Sequence, residues 1–313
     1  MVGGPGAAGS AARRLKPSTR GAVPGAVARS WEHHAHVVLS PPPFPATAPT
    51  RPGPCSQGAM TVLAMGAYAR RGLRHCIALD VGTSTVRLWT SATDTTISEP
   101  AALVRRAGGR HAVGRAAIEQ AKRDGGTLVW PVRDGVVRDF FGCVHLLRLL
   151  LARAGQWYAD DHPVLVGVPA TATLREKKVL VAAVRRATGG RVSTVEEPLA
   201  AALACRPDWG GDDVVAVDIG SGLIEVARIA DRSVTAAQRV DVDDPVDPVP
   251  AIARCVRDLT APGTGRRRLL VTGGGAASAG AAARLAGYTG RSVTIPADPQ
   301  LATLTGLRLL LTR

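Results

Sequence analysis

The chain has 313 residues, 46% of them hydrophobic and 20% charged, and a formal net charge of +14. That is enough apolar sequence for a real core in one large or two modest domains, which excludes a wholly disordered chain. No run of 18 or more apolar residues occurs and the first residues lack the apolar core of a secretion signal, so the expected location is the cytoplasm.

Residues 1–74 carry scattered Pro and Gly, as in PGAAGSAARR, AVPGAVARS and SPPPFPATAPTRPGP, with neither helical nor alternating periodicity. They read as a disordered, basic, Ala/Gly/Pro-rich tail. Eight Arg and one Lys against the single acid Glu32 put +8 of the net charge there. Such a tail can attract nucleic acid or an acidic membrane surface. Yet Arg outnumbers Lys 35 to 4 along the whole chain, beside abundant Ala, Gly and Pro, a bias that G+C-rich coding produces unaided. No specific nucleic-acid partner is expected. Met60 and Met65, just ahead of the first predicted strand, are both candidate translation starts. Val62, Leu63, Met65 and Tyr68 beside Arg70, Arg71 and Arg74 form a short apolar and basic patch suited to a membrane surface. Gly66 and Gly72 weaken it as a helix.

From Arg74 onward, short apolar runs alternate with helix-length amphipathic segments, the pattern of a mixed α/β domain. Strands are predicted at 75–81, 86–90, 163–168, 192–195, 214–219, 223–229 and 269–272, and helices at 140–154, 174–187, 198–205 and 249–259. A last helix has Asp298 as its cap and Pro299 in its first turn. The five cysteines, Cys55, Cys76, Cys143, Cys205 and Cys255, are odd in number and form no Cys-x-x-Cys pair. They point to a reducing compartment and no metal site of their own.

The sequence echoes itself at a separation of 138 residues: IALDVGTSTVRLW from Ile77 matches VAVDIGSGLIEVA from Val215. Each half reads as a strand, a tight Gly turn and a second strand. Such a tip presents successive backbone N–H groups and a small hydroxyl, which together make a concave anion site fit for phosphate oxygens. The Asp ending each first strand suits Mg²⁺, a hard ion that keeps several waters and binds few carboxylates directly. Two such hairpins facing one another would clamp a nucleoside triphosphate.

Further segments fall in a fixed order around the hairpins: EPAALVRR, AVGRAAIEQAK, PVRDGVVRDF, then PVLVGVPATATLREKKVLVAAVRRATGG, VSTVEEPLAAALA and LLVTGGGAASAG. As an ordered set over residues 75–313 they resemble the MreB rod-shape family of the actin, sugar-kinase and chaperone ATPase superfamily. The resemblance implies an α/β, actin-like (ribonuclease H-like) fold of two lobes around a cleft holding ATP and Mg²⁺. It implies a first lobe at 75–207, a second at 208–298 and a C-terminal helix at 299–313 packing back on the first. Gly82, Thr83 and Ser84 would meet phosphates from one side and Gly220, Ser221 and Gly222 from the other. Asp80 and Asp218 would hold the metal, Gly273, Gly274 and Gly275 would lie against adenosine, and Glu197, beside Glu196, would orient or deprotonate the attacking water. Implied partners are like subunits or full-length homologues, the cytoplasmic membrane surface and a wall-synthesis complex. The implied role is in cell shape or in cell or spore wall morphogenesis.

Two departures qualify that expectation. The second hairpin continues Gly-Ser-Gly-Leu-Ile-Glu where the family has Gly-Gly-Gly-Thr-Thr-Glu, so Leu223 and Ile224 replace two hydroxyls and hydrolysis is expected to be slow or absent. Only about 40 residues separate Ile229 from Leu269, where the family carries an outer subdomain closing over the base; its loss predicts weaker nucleotide binding and altered polymerisation. The Asp-rich DVDDPVDP lying there lacks the glycine and terminal Glu of a calcium loop. A non-polymerising pseudo-ATPase scaffold is the main alternative. A small-molecule kinase of the same superfamily would need an acceptor base and pocket, for which no residues stand out.

Overall fold

A computed structural model describes residues 75–105, 112–156, 161–205, 213–240, 247–260, 268–278 and 280–312. The basic tail, its apolar patch and most of the Asp-rich loop lie outside the described residues. So do Cys55, Met60 and Met65.

Alternation along the first strand, β1 (Ile77–Val81), sets the layering. Ile77, Leu79 and Val81 enter one core while Ala78 enters another on the opposite face, and the same period of two puts Asp80 on the face of Ala78. β1 pairs antiparallel with β2 (Thr85–Thr90), and β2 with β3 (Thr95–Pro100). The chain then makes a small ribbon of β4 (Leu103–Arg105) and β5 (Thr127–Val129), with helix α1 (Arg115–Asp124) between them. A hairpin of β6 (Val132–Arg133) and β7 (Val136–Val137) follows, turning on Asp134 and Gly135, both with positive φ. Helix α2 (Phe140–Arg153) is capped by Asp139, whose side chain accepts from Gly142 N. β8 (Pro163–Val168) adds in parallel to β1. Helix α3 (Leu174–Thr188) opens with a reciprocal Thr173–Glu176 capping box and stops at Gly189, which is left-handed. β9 (Arg191–Glu196) adds in parallel to β8 and runs directly into α4 (Glu197–Cys205).

The second sheet repeats the first. β10 (Val214–Ile219), β11 (Ile224–Ala230) and β12 (Ser233–Arg239) form an antiparallel meander. After α5 (Val249–Asp258), β13 (Arg268–Thr272) joins β10 in parallel. Then come α6 (Ala281–Thr289) and a short parallel β14 (Val293–Thr294). The strand orders β3-β2-β1-β8-β9 and β12-β11-β10-β13-β14 are the same arrangement. Only nine residues connect β12 to α5, too few to form a further subdomain with its own core.

Val215, Val217 and Ile219 pack with α5 on the outer face of the second sheet. Ala216 points inward, and alternation carries Asp218 to the same inner face. Both aspartates thus lie on the faces that meet between the sheets. There α4 and the last helix, α7 (Ala302–Thr312), are packed, with Leu199, Ala200, Leu304 and Leu307 fully or nearly fully buried. A Cβ on Gly306 would overlap the Ala200 carbonyl, so this helix pair tolerates only glycine at its closest approach. Regular helix begins at Ala302 rather than 299, because Asp298 caps the preceding turn, its side chain accepting from Leu301 N at 3.2 Å. Arg308 secures the other end by lying 4.9 Å over the Trp89 ring and pairing with Asp94 at 3.1 Å.

Candidate nucleotide cleft

Each hairpin is closed by the same bond. Gly82 N donates to Thr85 O, and Gly220 N to Leu223 O, both at 3.0 Å and at positions 138 residues apart. A side chain at either glycine would press on that carbonyl, at 3.0 and 2.8 Å. The tips meet: a Cβ on Gly222 would stand 2.7 Å from Thr83 Cγ2 and 2.8 Å from its hydroxyl. Thr83 Oγ1 accepts from Gly135 N at 3.0 Å, bringing the β6–β7 turn to the same place. Leu223 lies against that turn, its Cδ2 3.0 Å from where a Gly135 Cβ would be.

Behind the tips the carboxylates gather. Asp80 is buried and receives Arg87 Nη1 at 3.0 Å. Asp218 is half-buried and takes the Thr272 hydroxyl on Oδ1 at 3.3 Å. Glu197, the first residue of α4, fits because Gly167 leaves room; a Cβ there would come within 3.0 Å of Glu197 Cγ. Desolvation within the crowded cleft is the main force on all three acids. It pushes Asp218 up to about 7, with help from the charges of Asp80 and Glu225 and against Thr272 and Arg87. It raises Glu197 well above the usual carboxylate range, aided by Asp80, Asp218 and Glu225 and opposed by Arg87. It also raises Asp80, against the attraction of Arg87.

Glu225, 1% exposed, reaches from the second sheet to the first. It accepts from Ala170 N at 3.1 Å, from Thr171 N at 2.9 Å and from the Thr171 hydroxyl, which also receives Arg239 Nε at 3.0 Å. Glu196 and Glu197 part company: Glu196 ends β9 and pairs with Lys177 at 3.4 Å, while Glu197 is left to the cleft. The three glycines after β13 also differ. Gly273 has φ +84°, and a Cβ on it would sit 2.5 Å from Asp218 Oδ1; Gly275 is pressed on Ile219; only Gly274 faces open space.

Asp80, Thr83, Glu197, Asp218, Gly222 and Gly273 are thus brought near one another around the hairpin tips. Arg87, Glu225, Thr171 and Thr272 join them without having been expected. For Arg87 and Glu225 a signal existed, since they stand opposite Asp80 and Asp218 in strand register and repeat at the same separation. Among the described residues no three acids, histidines or cysteines converge closely enough to grip a metal directly. A hydrated Mg²⁺ held through its waters by Asp218 and Asp80 does fit this donor set.

Two sheets of one topology, with matching hairpins meeting over an acid-lined cleft, define an actin-like fold. The chain belongs to the MreB/Mbl family, whose model matches residues 74–258. It is 29% identical over 177 residues to the cell shape-determining protein MreB of Escherichia coli K12, covering 53% of this chain and 51% of that one. With MreB of Haemophilus influenzae it shares 29% identity over 172 residues, 51% and 49% of the two chains. The chain spans about half the length of the curated relatives it matches. Among solved structures, MreB5 of Spiroplasma citri bound to AMPPNP superposes with a TM-score of 0.65 at 17% identity, over 75% of this chain and 95% of that one. The MamK double helical filament gives 0.60 at 18% identity, over 75% and 98%. Among the described residues no helix is long and apolar enough to cross a membrane.

Proposed function

We propose that the cleft binds ATP with Mg²⁺, that hydrolysis there is slow or absent, and that the chain serves as an MreB-like cytoskeletal protein in cell shape or wall morphogenesis. The observation that carries this reading is the contact of Gly222 with Thr83, which brings two equivalent hairpins, each ending in an aspartate, to one point between the lobes. In this reading Gly82, Thr83, Ser84, Gly220, Ser221 and Gly222 supply phosphate-binding groups, and Asp80 and Asp218 hold the water shell of Mg²⁺. Gly274, open to solvent, offers backbone to the nucleoside beside Gly273 and Gly275. The metal's part is to neutralise phosphate charge. Glu197, raised by its surroundings, is suited to take or orient a water proton. Slow turnover follows from Leu223 and Ile224, which offer no hydroxyl at the second tip, Leu223 being packed on the Gly135 turn instead.

The working division is a first lobe of residues 75–207 completed by the C-terminal helix, and a reduced second lobe of 208–298. MreB5 is bound to AMPPNP in one structure and to ADP in another, and MamK forms a filament. These support nucleotide binding and assembly with like subunits or full-length homologues. Contact with the cytoplasmic membrane and a wall-synthesis complex rests on the family alone. The nine-residue link between β12 and α5 favours a second reading, a non-polymerising scaffold, because it leaves no outer subdomain to make a lengthwise contact.

Calorimetric titration with Mg-ATP and AMPPNP, beside phosphate release, tests the first claim. Comparable binding of both with negligible release is expected, and brisk turnover would overturn the reading of Leu223 and Ile224. Pelleting with and without nucleotide separates the filament from the scaffold.

A further inference from the structure

The two hairpins repeat one another closely, and the position opposite each aspartate is one place where they diverge in charge. Register sets Arg87 across from Asp80 and Glu225 across from Asp218. Glu225 is committed, its oxygens taken by Ala170 and Thr171 of the other lobe. Arg87 stays within its own hairpin, with Nη1 on Asp80 Oδ2 at 3.0 Å and a side chain only 14% exposed. Its Nε is buried with no hydrogen-bond partner among the described residues.

A guanidinium carries five N–H donors and keeps its charge at any ordinary pH. A largely buried one with an idle donor has hydrogen-bonding capacity that Asp80 alone does not use. Held in low-dielectric surroundings, its charge acts on an anion in the cleft more strongly than a charge at the surface would. Arg87 is also the cation whose field reaches both Glu197 and Asp218. Asp80, already neutralised by Arg87, is a weaker partner for a metal's water shell than Asp218. Guanidinium, moreover, matches phosphate oxygens in a planar fork.

We propose that Arg87 is a built-in counter-cation for the polyphosphate, so that the cleft holds a nucleotide without a divalent metal ion and the metal strengthens binding rather than enabling it. The proposal rests on the nucleotide reading above. Phosphate drawn between the tips meets the hairpin N–H groups and a fixed positive charge at the base of the first hairpin.

The test is calorimetric titration of the full chain with AMPPNP, in Mg²⁺ and in EDTA. On chelation the parent's Kd is expected to rise by less than about tenfold. In Arg87→Leu the rise on chelation is expected to exceed the parent's by about tenfold or more, and in Arg87→Lys, which keeps a point charge without the fork, to fall between. Parent binding abolished by EDTA overturns the proposal, and that arm needs no variant to fold. Equal EDTA-to-Mg²⁺ ratios in parent and Arg87→Leu overturn it as well. Absence of AMPPNP binding even in Mg²⁺ sinks the nucleotide reading itself, and this proposal with it.

Discussion

Truncating Glu225 tests whether the two lobes are latched by one carboxylate. In Glu225→Ala the N–H groups of Ala170 and Thr171 and the Thr171 hydroxyl lose their acceptor in a place that is 1% exposed. Each buried group left unsatisfied costs about 1–3 kcal/mol. Water entering the space left by the side chain would recover part of this, so the expected loss is roughly 4 kcal/mol. Glu225→Gln keeps the volume and one carbonyl oxygen but turns an NH₂ toward a donor, and is expected to lose about 2 kcal/mol. At roughly 2–4 °C per kcal/mol for a chain of this size, the melting temperature falls by roughly 8–16 °C and 4–8 °C respectively. Thermal unfolding followed by circular dichroism, in the absence of nucleotide, reads both. A Gln variant within about 2 °C of the parent, or an Ala variant no worse than Gln, would show that the Glu225 contacts do not join the lobes.

The raised carboxylates set a pH dependence. With Asp218 pushed up to about 7 and Glu197 also raised well above the usual carboxylate range by desolvation, the folded chain holds protons that the unfolded chain has released. Stability is therefore present at acid pH and lost as pH rises toward 7. Melting in EDTA is expected to be higher at about pH 5.5 than at about pH 7.5, with a smaller difference in Asp218→Asn; no difference in the parent would contradict the crowding of acids. Restoring hydroxyls with Leu223→Thr and Ile224→Thr together is expected to raise phosphate release by about tenfold or more, since groups that position a reacting water are worth that much or more; unchanged release would mean the block lies elsewhere. Gly306→Ala forces a methyl onto the Ala200 carbonyl and is expected to cost about 3 kcal/mol, seen as a lower melting temperature or loss of soluble protein.

The repeated hairpins were legible because two independent regularities coincide in them: alternation of apolar residues and an Asp-x-Gly turn recurring at one spacing. Helices with strong stop signals, such as α3 between Thr173 and Gly189, were nearly as plain. β3 was not, because TTISEP offers only Ile97 to the core and takes its strand form largely through pairing with β2. Glu197 rather than Glu196 was singled out by the family resemblance alone, since two identical side chains do not show where strand gives way to helix. Arg87 and Glu225 escaped notice for a related reason. Their meaning lies in the residue opposite them, and pairing across a hairpin is a fact of register rather than composition. The three consecutive glycines read alike on paper, yet only the folded chain distinguishes the one facing space from the two crushed against Asp218 and Ile219.

The placement of α7 has a consequence for how the protein comes off the ribosome. Its 11 residues cover the inner side of β1 and β8, which are made far earlier. At about 5–20 residues per second, roughly 7–27 s of translation separate the end of β8 from the start of α7. Through that interval Ala78, Leu165 and Leu199 are covered by α4 at most and lack α7, and the half-made lobe is a sticky nascent chain. A chaperone binding during synthesis, or slow elongation tuned to it, would matter more here than in a fold whose early lobe closes on itself.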